Sequence, residues 1–129
     1  SRPRRPRRPW RPAALRSDRP MGCGYVGTLT VDLHLPQANS LKDKRKELHR
    51  LKAALVKRVS CAIAEVDHHE LHRRSRITLA VVTREHAECE RLLDAASRTL
   101  HTDPAFAALA ESRDVITVDD VPSLADRGW

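Results

Sequence analysis

The chain has 129 residues, with 24 Lys and Arg against 17 Asp and Glu and a formal net charge of +7. That length suits one domain, and no apolar run approaches the roughly 20 residues of a membrane-spanning helix, which excludes a spanning protein. Aromatic residues make up only 3% of the chain, so the core must be aliphatic.

Residues 1–22 read as an Arg/Pro-rich tail outside the folded domain. Residues 1–20 hold eight Arg and one Asp, so the whole net charge of the chain lies there and the remainder is neutral. Proline at every third position from Pro3 to Pro12 blocks regular backbone hydrogen bonding. An extended, polyproline-like tail is expected. No apolar stretch follows the arginines, which argues against a secretory or twin-arginine leader. The prolines also forbid the amphipathic helix of a mitochondrial presequence. The tail reads either as a basic arm for phosphate backbones or as sequence translated from upstream of a start at Met21, the only methionine.

Folded elements begin at Tyr25. In YVGTLTVDLHL (25–35), Leu29, Val31, Leu33 and Leu35 share one face, and Thr28, Thr30, Asp32 and His34 the other. That alternation predicts a strand with one buried face, ended by Pro36. Ser40 is a natural N-cap, with Asp43 three residues on as a shortened capping box. Leu41, Leu48, Leu51, Leu55 and Val59 then fall on one stripe at helical spacing, predicting a helix over 40–59. SCAIAEVD (60–67) reads as a short strand, HHELHRR (68–74) as a polar connection, and SRITLAVVT (75–83) as a second strong strand. REHAECERLLDAASRTLH (84–101) is helical, with Cys89, Leu92, Leu93, Ala96 and Leu100 on its apolar side. Asp103-Pro104 resembles a cap and first position and predicts a short helix through Ala110. DVITVDD (114–120) is the last strand.

The order is strand, helix, strand, strand, helix, strand. Two right-handed βαβ units in one sheet give an α+β ferredoxin-like sandwich, a four-stranded antiparallel sheet with two helices on one face. The domain is expected over residues 23–122, followed by a short tail over 123–129. Cys23, Cys61 and Cys89 form no CxxC pair, so reduced thiols of a cytosolic protein are expected, with Cys61 in a strand and Cys89 on a helix stripe.

Two segments carry a resemblance. YVGTLTVDLHLPQANSLKDKRKELHRLKAAL and SCAIAEVDHHELHRRSRITLAVVT resemble the bacterial YlxP family, whose members show a YVGxL strand, an SLKxKR helix start and an AEVDHxDL segment. The likeness runs from Tyr25 to Leu100. DPAFAALAESRD is longer than the usual connection there, and His69 departs from the usual residue, whereas Glu65, Asp67 and His68 match. The resemblance implies a ferredoxin-like fold and a cytosolic bacterial protein with no assigned enzymatic activity. Genes of the family commonly lie beside those for translation initiation factor 2 and ribosome-binding factor A, which implies a role in ribosome assembly or translation.

Charge is segregated along the domain. Residues 40–59 carry eight Lys and Arg and two acids, whereas residues 84–129 carry five Arg and ten acids. Opposite the leucine stripe lie Lys42, Lys46, Arg50 and Lys57, spaced to project from one outer face. That geometry suits an RNA backbone, read through phosphates and shape, or simply a solvated helix face. Lys44 falls instead on the apolar flank near Leu48 and Leu51, where pairing with a sheet carboxylate is expected. Arg45 and Lys52 lie on the other flank. In Asp67-His68-His69-Glu70-Leu71-His72, the histidines His68 and His72 are four apart and could share a metal with Asp67 or Glu65. The familiar HExxH order is absent, however, and a polar hairpin or partner-facing patch fits as well. Sheet-stacking RNA binders need aromatics on their central strands; of Trp10, Tyr25, Phe106 and Trp129, only Tyr25 lies near one. No phosphate loop of the acylphosphatase kind follows the first strand, and no spacing suggests a catalytic nucleophile.

The expectation is a non-enzymatic, cytoplasmic, ribosome- or RNA-associated accessory factor without a cofactor. Its contacts with ribosomal RNA or the small ribosomal subunit would come from Lys42, Arg45, Lys46, Arg50 and Lys57, with His68 at the rim. Two other readings stand beside it. One is a protein-interaction or homodimer module using the open sheet face or the acidic C-terminal half. The other is a small metal-dependent hydrolase around Glu65, Asp67, His68 and His72.

Overall fold

The computed structural model describes residues 22–118. Its elements are β1 (Tyr25–His34), α1 (Leu41–Val59), β2 (Ala62–Asp67), β3 (Arg74–Thr83), α2 (His86–Thr102) and β4 (Ala107–Thr117). The strands form one four-stranded sheet in the order β2-β3-β1-β4, with every neighbouring pair antiparallel. Both helices pack against each other and against one face of the sheet. This is the ferredoxin-like arrangement expected from the order of elements. Residues 1–21 of the expected N-terminal tail, the tail expected at residues 123–129, and the final residues of the last predicted strand lie outside the described residues.

The strand pattern explains the layers. Leu29, Val31 and Leu33 on β1 and Ile77, Leu79 and Val81 on β3 are buried toward the helices. They meet Leu48, Leu51, Leu55 and Val59 of α1 and Cys89, Leu93, Ala96 and Leu100 of α2 in one aliphatic core. Gly27 lets α2 settle closely onto β1. A Cβ there would run into Cys89 Sγ and lie 3.0 Å from Leu93 Cδ1. Burial pushes the thiols of Cys61 and Cys89 up from their ordinary value, keeping both in the unreactive protonated form. Cys61 lies just ahead of β2 instead of within it.

The opposite sheet face carries no helix. Thr30 and Thr78 hydrogen-bond across it at 2.8 Å. Register aligns Val26 with Val82 on one side and Ile116 on the other, making an apolar row at one end. Val82 is 76% exposed. The other end is ionic, where Asp32 accepts two hydrogen bonds from Arg76 at 2.6 and 3.2 Å.

One predicted element is absent. Residues 104–110 do not form a helix: Pro104 and Ala105 make a turn, and β4 begins at Ala107. Asp103 builds that turn, its Oδ1 accepting from the Ala105 amide at 3.0 Å and its carbonyl from the Phe106 amide at 3.3 Å. The alanines then pair with the end of β1, Ala107 opposite His34 and Ala108 opposite Leu33. β1 is a central strand, so its backbone groups need partners along their whole length, and that requirement outweighs the helix propensity of alanine. A register shift between Asp32 and Leu33 absorbs one extra residue of β4. The bulge helps to shield an edge strand from unwanted pairing.

Candidate nucleic-acid interface

The first helix starts as its sequence dictates. The Ser40 hydroxyl accepts from the Asp43 amide at 3.1 Å, and the Asp43 carboxylate accepts from the Asn39 amide at 3.0 Å. One first-turn donor of the helix, and the amide just ahead of its cap, are thereby satisfied. At the far end Ser60 takes a left-handed conformation with φ 52, and Lys57 and Arg58 complement the helix dipole in the last turn.

Lys44 belongs to the buried stripe, with Leu48 and Leu51 following at four and seven residues. It is only 1% exposed. Its stem packs in the core and its Nζ donates to Glu65 Oε2 at 2.9 Å, to the His68 carbonyl at 2.8 Å and, more weakly, to the Arg74 carbonyl at 3.3 Å and the His69 carbonyl at 3.4 Å. The ammonium is thus surrounded by oxygen, which offsets the cost of taking it from water. The Ser75 hydroxyl donates to the same Glu65 oxygen at 2.6 Å. Burial alone would push the Glu65 carboxyl up, but the Ser75 and Lys44 hydrogen bonds outweigh it and hold the group below its ordinary value. The sheet-carboxylate partner expected for Lys44 is therefore Glu65.

This pairing fixes the turn between β2 and β3. His68 has φ 64, a left-handed backbone that non-glycine residues adopt at some cost. Its amide donates to Asp67 Oδ1 at 2.7 Å and its carbonyl also accepts from the Leu71 amide at 3.1 Å. Arg73 Nε donates to the Ala38 carbonyl at 3.1 Å, tying the turn to the loop before α1. The His68 ring points away from α1, with Nε2 3.9 Å from Asp32 Oδ1 on the helix-free side. The Arg76 hydrogen bond lowers the pKa of Asp32. His68 and His72 sit on a turn, not one helix face, and among the described residues no group of three or more His, Cys, Asp or Glu side chains is placed to hold a metal ion.

The remaining cations of α1 divide into two kinds. Lys42, Arg45, Lys46, Lys57 and Arg58 are exposed, Lys52 is half-buried, and none of them makes an ion pair among the described residues. At 100° per residue all but Arg58, which lies on the other flank, fall within one continuous arc beside the apolar stripe. Arg50 is different. Its guanidinium forms a two-pronged pair with Asp103 at 2.8 and 2.9 Å and also donates to Glu47 at 2.9 Å. Such a fork-on-carboxylate geometry is directional and strong for its kind. Burial would raise the Asp103 carboxyl, but Arg50 and the Ala105 amide together hold it low. Sequence spacing placed Arg50 on the outer face without revealing Asp103, which lies 53 residues away along the chain.

The Glu65 arrangement has a pH signature. A depressed folded-state pKa contributes stability that is complete above the ordinary carboxylate value of 4.5 and is lost as pH falls through the folded value. Wild type should therefore lose more unfolding free energy than Glu65→Gln between about pH 5 and pH 2, measured by urea unfolding at each pH. Asp32, Asp67, Asp103 and Glu111 titrate in both proteins and cancel. Parallel curves for the two proteins would remove the assignment.

No curated protein matches the chain in a sequence comparison. A family model does match, over residues 26–113, which include all of β1 but Tyr25, both helices, the Lys44–Glu65 pair and most of β4. The chain belongs to DUF503, a family of proteins of unknown function.

Proposed function

We propose that this chain is a YlxP-like, non-enzymatic accessory factor of the cytoplasm that associates with the ribosome or its RNA through the exposed arc of α1. The observation that carries this reading is the set of unpaired cations on one rigid helix: Lys42, Arg45, Lys46 and Lys57, with Lys52 beside them. A cation already matched to a carboxylate gains little from a phosphate. An unmatched one can release the counterions condensed on a nucleic acid. Arg50 steadies the helix against the turn before β4, and Lys44 and the His68 backbone set the angle at which the arc is presented. The resemblance to a family encoded beside translation genes supports the ribosome as the partner. The test is co-sedimentation of the full chain with small ribosomal subunits at two salt concentrations, beside a variant with Lys42, Lys46 and Lys57 all changed to Glu. Both proteins keep the eight arginines of residues 1–20, so the difference between them reports on α1: wild type should pellet at low salt and be released at high salt, and the variant should pellet less and be released at lower salt. Equal pelleting of the two would reject α1 as the docking face.

A second reading rests on the open sheet face. Exposed Val82 and Ile116 flank half-buried Val26 in an apolar row at one end of it, of the kind that pairs two copies of a chain. Light scattering in high salt should then give a dimer that Val82→Lys converts to monomer. A monomer from wild type at high concentration would exclude this reading.

A further inference from the structure

We infer that the α1 arc recognises the phosphate backbone of double-stranded RNA and discriminates against single strands; this rests on the proposed association with RNA. Single-stranded binders pair a basic groove with aromatic side chains on which bases stack. This domain has the cations without the platform. Among the described residues the Tyr and Phe rings are those of Tyr25, half-buried and edge-on to the His86 ring with centroids 5.4 Å apart, and Phe106, which is 6% exposed. Neither is available to a base, and the one imidazole within the arc, exposed His49, gives successive bases no platform.

The sheet face cannot substitute. It presents Asp32, tied to Arg76, and Asp67 at one end, and Asp114 opposite Thr28 farther along. Those carboxylates repel phosphate, Arg76 is already committed to them, and the remaining arginine there, Arg74, is half-buried beside Asp32. The unpaired cations sit instead on the convex outer surface of one straight element. From Lys42 to Lys57 the helix rises about 22 Å. Lys42, Arg45 and Lys46 stand at its start, Lys52 in the middle and Lys57 near its end. A rigid row of charges fits phosphates that are themselves held in a regular array. A flexible strand would have to be ordered against a convex surface, with no stacking to offset the lost entropy. A-form duplexes are read in this manner, through backbone and shape with little base contact.

The test uses the full chain and a variant with Lys42, Lys46 and Lys57 all changed to Gln. Binding is followed by fluorescence anisotropy to a blunt RNA duplex of about 20 base pairs and to one of its strands alone. Affinity is measured at several salt concentrations between about 50 and 200 mM. The eight arginines of residues 1–20 are present in both proteins, so only the difference between proteins reports on α1. The expected result is a duplex salt slope shallower by about 2 to 3 in the variant, with the single-strand slope unchanged. Equal loss on both ligands, or a larger loss on the single strand, overturns the duplex inference and leaves RNA association standing. No change on either ligand overturns both.

Discussion

Lys44 carries an ammonium group into the interior and finds it a complete shell of oxygen. The partners come from Glu65 on β2 and from the carbonyls of His68, His69 and Arg74 around the β2–β3 turn. An uncompensated charge at that depth costs several kcal/mol, so helix, strand and turn must arrive together or not at all. The left-handed His68 follows from this constraint. Its carbonyl has to face Lys44, and the chain reverses around it with help from Asp67 and Leu71. The two sequence blocks that looked most distinctive, SLKDKR and AEVDHHEL, are joined through this one contact.

That use of Lys44 sorts the cations of α1 by role. Lys44 is consumed by the fold, and Arg50 is consumed by Asp103 and Glu47. Lys42, Arg45, Lys46 and Lys57 remain exposed and unmatched among the described residues. Acidic partners lie on the opposite flank of the helix and on α2 and β4, where Arg113 meets Asp94 and Glu111. One face of α1 therefore gathers several unpaired cations on a single element, while Arg113, Asp94 and Glu111 pair among themselves. A surface of that kind steers an anionic partner toward a single orientation.

Most of the architecture was legible in the sequence because it rests on local period and caps. Alternation gave β1, a β-branched and almost uniformly apolar run gave β3, and the leucine stripe with Ser40 and Asp43 gave α1. Lys44 was legible as a structural residue because a lysine at an apolar position needs a carboxylate. Two features were not. The stretch after Asp103 has the composition of a helix start, and only the unpaired end of β1, contributed from far earlier in the chain, decides that it is strand. Arg50 shares the outer-face spacing of its neighbours, and its pairing depends on where that same turn places Asp103. Both features have one origin, a partner brought close by tertiary folding and invisible to local period.

The most direct test of the central role given to Lys44 is a double-mutant cycle with Glu65. Unfolding free energies from urea titration at neutral pH are compared for wild type, Lys44→Met, Glu65→Gln and the double variant. If the ammonium and carboxylate hold the turn as a unit, the double variant is more stable than the sum of the single losses implies, with a coupling of at least about 1.5 kcal/mol. Additive losses would mean that the two groups act independently, and that the joining of α1 to the β2–β3 turn lies elsewhere.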